Sequence, residues 1–306
     1  MPRYIALTGC AGFIGRVVLT QLLERGDYVY GVDALTYAAD PAAIRLAQAA
    51  YPTQFSFVGS DVRHLGRLPD VETVIHCAAE THVDNSLTEG PRFVETNVSA
   101  TVHLLEMIRA KGQHVMPRLV HVSTDEVYGS ITEGTASVSA PLRPSSPYAA
   151  SKAAADLLVQ SWGQTYGVSY TIVRPTNCYG VGQYPEKLIP KAVRSLMLGR
   201  PFPLHGEGTQ TRYWLWVEDC ARALLHVVDD PTIGMVVNVG GNTEASVQRV
   251  LDAVGCRVQT GFKRAAMDGR YAVDDAALRD AGWTPQGDFW RDLAAIVEAE
   301  RDRFRF

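Results

Sequence analysis

The chain has no Cys-X-X-Cys pair, and its five cysteines (Cys10, Cys77, Cys178, Cys220 and Cys256) are scattered and odd in number. That argues against a disulfide framework, offers no zinc-ligand spacing and fits a reducing, cytoplasmic setting. No metal site is expected. Long hydrophobic runs are missing too, none reaching the ~20 residues that a membrane-spanning helix needs. The first strand-like segment, RYIALTG, begins at residue 3, which leaves no room for a signal peptide. Nor is there an excess of positive charge. Lys and Arg number 29 against 33 Asp and Glu, a formal net charge of −4, so nucleic acid and anionic membrane are not expected partners. An anionic small molecule would have to be held by local basic groups. The chain also lacks internal repeats and low-complexity segments.

Core material is plentiful. Apolar residues fill 46% of the 306 positions, enough for one large α/β domain or two smaller ones. Strand signals at Tyr4–Thr8, Tyr28–Asp33, Phe55–Gly59, Thr73–Cys77, Leu119–Ser123 and Ser169–Arg174 alternate with helical runs at Phe13–Arg25, Pro41–Ala50, Asn97–Lys111 and Tyr148–Tyr166. Such alternation predicts a Rossmann-type doubly wound parallel sheet with helices on both faces. After Arg174 the pattern changes. Gly180–Tyr184 and Gly199–Gly208 read as loops around a helix at Lys187–Leu198. Further helices are expected at Val217–Val228, Val247–Val254 and Phe289–Arg303, and a strand at Met235–Val239. The expected layout is a sheet domain over residues 1–175, which the chain re-enters around Trp214–Val239. Residues 176–306 are expected to form mainly a smaller mixed α/β substrate-binding cap over the carboxyl edge of the sheet, where open α/β folds bind ligands.

Gly9-Cys10-Ala11-Gly12-Phe13-Ile14-Gly15 follows the first strand and opens a helix. In a dinucleotide fingerprint the first glycine permits the tight turn and the second lets backbone approach a pyrophosphate. The third allows close helix–strand packing, and the helix N-terminus faces the phosphates. Asp33 ends the second strand 18 residues after Gly15. An acid there bonds the ribose hydroxyls and repels a 2′-phosphate, so NAD is expected rather than NADP. Asp61 and Val62 follow the third strand and would lie near the adenine. Ala78 and Ala79 follow the fourth and are small enough to let the cofactor pass. Asn97 opens a helical run and is either its N-cap or a further cofactor contact.

Two acid–base sets follow. Tyr148 and Lys152 are four apart in a helical stretch and so share a face; an ammonium beside a phenol favours the phenolate, which suits oxidation of an alcohol. Thr124-Asp125-Glu126 follows the strand-like run RLVHVS. Two adjacent carboxyl groups can divide acid and base roles if their environments differ, which suits elimination of water. Either set alone is common by chance. Their shared context with a dinucleotide fingerprint marks a site.

With these residues in view the chain resembles the extended short-chain dehydrogenase/reductase superfamily, and within it the dTDP-glucose 4,6-dehydratases. The segments AAETHVD (78–84), HVSTDEVYGS (121–130), SPYAASKAAAD (146–156), YPEKLIP (184–190) and WLWVEDCARAL (214–224) carry the resemblance. It implies that Tyr148 takes the proton of the sugar 4-hydroxyl while hydride passes from C4 to NAD. Lys152 would hold the phenolate and the nicotinamide ribose, and Thr124 would bond the 4-oxygen. Glu126 would remove the C5 proton and Asp125 would protonate the departing 6-hydroxyl. For the substrate it implies sugar, phosphate or nucleotide contacts from His82, Asn177, Glu186, Lys187 and Leu188, and diphosphate contacts from Arg212 and Arg270. The expected partner is a nucleotide-diphosphate sugar, with dTDP-glucose first and UDP, CDP or GDP as other bases. A homodimer is expected through Asn97–Lys111 and Tyr148–Tyr166.

The chain departs from the family pattern at Cys178, Tyr213 and Met267, where the nucleotide and sugar would sit. Two other readings stay open. An epimerase or decarboxylase of the superfamily needs no acid–base pair at C5 and O6, and a non-catalytic NAD-binding protein needs neither Tyr148 nor Lys152.

Overall fold

The computed structural model describes residues 2–303. Twelve strands run in chain order: β1 Tyr4–Thr8, β2 Tyr28–Asp33, β3 Phe55–Gly59, β4 Thr73–His76, β5 Arg118–Val122, β6 Tyr170–Pro175, β7 Asn177–Tyr179, β8 Phe202–His205, β9 Thr211–Trp216, β10 Val236–Val239, β11 Thr243–Ser246 and β12 Val258–Phe262. Seven form one sheet in the order β10-β6-β5-β4-β1-β2-β3, and every pair in it is parallel. This is the doubly wound sheet expected from the alternation. Its strands are short and apolar because both faces are covered. From β1 the chain moves out to β2 and β3, then returns to β4 on the other side of β1. Connections after β1 and β4 therefore diverge, and a crevice opens at their carboxyl ends.

Each face has its own core. On one, the helices Phe13–Glu24 and Val217–Asp229 bury Leu19, Leu22, Leu23, Leu224 and Val227 against Leu7, Ile75 and Val173. On the other, Ala100–Ala110 and Pro147–Tyr166 bury Leu104, Leu105, Ile108 and Val159 against Ala6, Val74 and Leu119. Truncating one of these leucines to alanine should cost about 2–5 kcal/mol. The start of the helix Pro147–Tyr166 is fixed locally. Ser146 Oγ accepts the Ala149 N–H, and Pro147 fills the first helical position, where a missing N–H is harmless. That cap sets Tyr148 at the helix entrance and Lys152 one turn further in.

The remaining strands make two small sheets, β11-β9-β7 and β12-β8. A third core of Tyr179, Val193, Trp214, Val250 and Phe289 packs them with the helices Leu188–Met197, Val247–Val254 and Phe289–Arg303. The stretch Gly199–Gly208, which reads as a loop, holds β8, paired with β12. Four residues that include Pro203 give too short an alternation to stand out from their glycine-rich flanks. Trp214 lies in β9 of the small sheet, and the chain rejoins the layers of the large one with the helix Val217–Asp229 and β10. Asn97 does not open a helix. It lies within a wide π-turn, Val94–Ser99, that follows a short helix at Gly90–Phe93. Among the described residues no helix is long and apolar enough to cross a membrane.

Candidate active site

A cavity of about 420 Å³ lies over the carboxyl ends of β1, β2, β4, β5 and β6, within the size range of small-ligand sites. Its walls bring together Gly9, Gly12, Phe13, Ile14, Gly15, Asp33, Asp61, Val62, Ala78 and Ala79 from the sequence reading of the cofactor. Thr124, Asp125, Glu126, Tyr148 and Lys152 from the catalytic reading, and Asn177, Glu186 and Lys187 from the substrate reading, line the same space. Residues drawn from across 180 positions thus converge on one hollow.

The glycine turn is required by its surroundings. Gly9 has φ +72°, and a Cβ there would come within 2.6 Å of Ala78 N. A Cβ on Gly15 would sit 1.9 Å from Gly9 O, so strand and helix can close only on hydrogen at that point. Gly12 differs: its Cβ would approach the protein only at Gly9 O, at 3.2 Å. The space beside it opens to the cavity, where a pyrophosphate can come against the backbone. No side chain caps this helix and no acid occupies its first turn, so the positive end of the dipole is available to phosphate. Asp33 is buried; its Oδ2 accepts the Ala11 N–H at 2.9 Å and its Oδ1 the Leu35 N–H at 2.8 Å. Each oxygen keeps a lone pair for a ribose hydroxyl. Burial raises the carboxyl's pKa, opposed by those two backbone bonds. Asp61 accepts from Arg63, whose bonds hold its carboxyl low. These residues fit NAD.

Thr124 caps a one-turn helix, Asp125–Tyr128, by accepting the Glu126 N–H. This turn presents the two carboxyl groups in different settings. Asp125 is 3% exposed. Its pKa is raised to about 8 by burial and then by the neighbouring Glu126, so it carries a proton at neutral pH. Glu126 is partly exposed to the cavity. Burial raises it as well, but the cations of Arg212, Lys187 and Arg264 oppose that. Burial raises both carboxyl groups, but three cations oppose it at Glu126 and only Arg212 does so at Asp125. Lys187 Nζ is held over the cavity by the Thr81 carbonyl at 2.8 Å.

The Tyr148–Lys152 pair is buried, but its electrostatics differ from the reading of the sequence. The phenol is pushed up, by burial first and then by Glu126, with a hydrogen bond from Thr124 opposing. Lys152 donates to the Val122 carbonyl at 2.7 Å and is itself lowered to about 8 by burial. The ammonium does not bring the phenol toward neutrality here, because it bonds the strand end and the charge that acts most on the phenol is an anion. Behind Lys152, Asp156 and Arg174 pair at 2.9 Å, both fully buried. Arg174 also donates to Tyr128 at 2.7 Å. Neither residue stands out in the sequence, although Asp156 falls four residues after Lys152, the same spacing that links Lys152 to Tyr148.

Five residues of the sequence reading lie outside the lining. Asn97 is buried behind it: its amide donates to Glu80 O and Ser151 Oγ and accepts the Glu80 N–H. It braces the loop after β4 instead of capping a helix. His82 packs 3.8 Å from Glu186. Leu188 begins the helix Leu188–Met197. Arg212 lies over the Tyr271 ring at 4.1 Å and donates to the Thr211 and Asp268 carbonyls. Arg270 pairs with Glu244 at 2.6 Å.

A parallel dinucleotide fold with one cavity that holds together a glycine turn, an acid at the second strand end and a Tyr/Lys pair defines a class of nicotinamide-dependent enzyme. The chain belongs to the NAD dependent epimerase/dehydratase family, whose model matches residues 5–240. It is 38% identical to a dTDP-glucose 4,6-dehydratase of Neisseria meningitidis serogroup B, over 97% of this chain and 92% of that one. It is 36% identical, over 95% of its length, to part of a trifunctional Arabidopsis thaliana protein whose name includes UDP-glucose 4,6-dehydratase, covering 46% of that protein. Among solved structures it is similar to DesIV, a dTDP-glucose 4,6-dehydratase from Streptomyces venezuelae crystallised with NAD and TYD, with a TM-score of 0.91, 37% identity and coverage of 98% and 97%.

Proposed function

We propose that this protein is a nucleotide-sugar 4,6-dehydratase. It removes water across C5 and C6 of a nucleotide-linked hexose, with dTDP-glucose as first candidate, and yields the 4-keto-6-deoxy sugar. The observation that carries this reading is the contrast between Asp125 and Glu126 in one cavity with Tyr148 and Lys152. An epimerase has no use for a protonated carboxyl beside a cation-flanked one.

When bound, NAD supplies the acceptor for the C4 hydride, the donor that reduces C6, and a ring charge that favours the phenolate of Tyr148. The chain's residues manage protons and position. Tyr148 takes the proton from the 4-oxygen, assisted by the Thr124 hydroxyl. Lys152, fixed by Val122 O, holds the cofactor ribose. The 4-ketone makes the C5 proton acidic, and Glu126 removes it. Asp125 gives its proton to the 6-oxygen as the C–O bond breaks, so water leaves instead of hydroxide. Arg212 and Lys187 oppose the effect of burial on Glu126 and so favour its anion. Lys187, Glu186 and Asn177 line the space offered to the sugar, with His82 and Leu188 behind them. Arg212 and Arg270 are the diphosphate partners in this reading, since a guanidinium fork bonds two oxygens at once.

Residues up to 175, with 217–239, form the cofactor-binding unit in this scheme, and most of the rest binds substrate. We place the enzyme in the cytoplasm, supported by five free cysteines. A homodimer is supported by the exposed Val94, Leu157 and Tyr166 on or beside the paired helices; light scattering at micromolar concentration should give twice the chain mass. The function itself is tested by incubation with NAD and dTDP-, UDP-, CDP- and GDP-hexoses, read by mass spectrometry. Loss of one water from one donor is expected. If every donor returns unchanged from protein that binds NAD, the proposal fails.

A further inference from the structure

A base that has taken a proton can return it or exchange it with solvent, and once substrate and cofactor fill the cavity, exchange needs a route. We propose that Tyr271, Asp268 and Ser145 form that route, a proton relay from Glu126 to the protein surface. The inference rests on the reading of Glu126 as the C5 base.

The hydrogen-bonded groups lie in a row from the cavity to the surface, with Tyr271 and Ser145 both donating to Asp268 at rest. The Tyr271 hydroxyl lies 3.4 Å from Glu126 Oε2 and 2.7 Å from Asp268 Oδ2. Asp268 Oδ2 in turn accepts from Ser145 Oγ. Glu126 lines the cavity, Tyr271 and Asp268 are buried at 6% and 9% exposure, and Ser145 is exposed. The chain therefore begins at the reacting centre and ends in water, and its two middle members are shielded from both. Arg212 fixes the geometry: it stacks on the Tyr271 ring and donates to the Asp268 carbonyl at 3.1 Å.

The single phenolic proton is directed at Asp268, the nearer acceptor, which leaves the phenolic oxygen free to accept from a protonated Glu126. Burial and then the Glu126 charge hold this phenol well above its ordinary pKa, so it does not ionise and the transfer is concerted. A proton leaves Glu126 Oε2 for the phenolic oxygen as the phenolic proton passes to Asp268. The Ser145 hydroxyl, which donates to Asp268 at rest, turns to give its proton to water, and its oxygen accepts the proton from Asp268. One proton enters and one leaves at each member, and no electron pair is transferred between them. Running inward, the same chain delivers a solvent proton to C5.

Turnover of unlabelled substrate in deuterium oxide tests this, with NMR of freshly quenched product reading the hydrogen at C5. Wild type should place deuterium there. Tyr271→Phe keeps the ring under Arg212 but cuts the chain, so its product should lose that deuterium and keep the substrate's own hydrogen by internal return. Asp268→Asn should do the same. NAD binding and circular dichroism establish that each variant is folded. Undiminished C5 deuterium in both variants overturns the relay. So does wild-type product that retains the substrate hydrogen, an outcome that leaves dehydration itself intact. Complete loss of turnover in both folded variants also counts against it, because internal return needs no relay. Failure of wild type to release water refutes the functional reading instead.

Discussion

Asp125→Asn should separate catalysis from stability. The side chain is buried, and its Oδ2 has no hydrogen-bond partner within the protein, which is the setting of a carboxyl group that keeps its proton. Asparagine preserves shape and neutrality but has no acidic proton to give the 6-oxygen. General acids of this kind contribute about 10²–10⁴ in rate, or about 3–5 kcal/mol of barrier. Release of water should fall by that factor. Oxidation at C4 should survive, since Tyr148 and Lys152 are untouched, and the nicotinamide absorbance should therefore show reduced cofactor accumulating. Stability should move the other way. The unfolded carboxyl ionises from its ordinary value of 3.8, whereas the folded one holds its proton to about 8. Between those pH values the native state binds more protons, so this group's contribution to stability falls as pH rises. The variant lacks that loss, and its Tm above pH 8 should exceed that of wild type. Wild-type turnover should also decline as pH passes about 8 and Asp125 ionises. A decrease in turnover smaller than about tenfold, about 1.4 kcal/mol, would refute the assignment of Asp125 as the acid.

Other residues give further checks. Gly15→Val should abolish NAD binding in calorimetry, because its Cβ would lie 1.9 Å from Gly9 O and must push the turn out of place. Tyr148→Phe should keep NAD affinity near that of wild type and lower kcat by about 10²–10⁴; turnover that survives would mean another group takes the proton. Arg174→Met should destabilise the protein by about 3–5 kcal/mol in thermal or denaturant unfolding, because it leaves the buried Asp156 without its guanidinium partner.

The large sheet was legible because its signals are local. Five-residue apolar strands punctuated by glycine and acid, with long helices between them, encode a doubly wound sheet before any contact is known. The cofactor turn and the Thr124–Glu126 segment were legible for the same reason, since each is short and contiguous. The small sheets were not: β8 is four residues broken by Pro203, and β12 (VQTGF) is largely exposed and holds a glycine, so neither reads as an apolar strand. Asn97, which the sequence offers as a helix cap or a cofactor contact, lies inside a π-helix, and its amide braces a loop 17 residues away. The Tyr148 phenol could not be judged from its spacing to Lys152, since burial and Glu126 act on it through the fold. Tyr271 and Asp268 meet Glu126 from more than 140 residues along the chain, a distance over which sequence pattern is silent.

The most direct test of the account is to give the protein, with NAD, the accepted donor carrying deuterium at C4 of the hexose, and to locate the label in the product. The account predicts a product that has lost one water and carries the deuterium at C6. Deuterium retained at C4 with no water lost would contradict it and identify an epimerase; an unaltered sugar beside protein that binds NAD would contradict catalysis altogether.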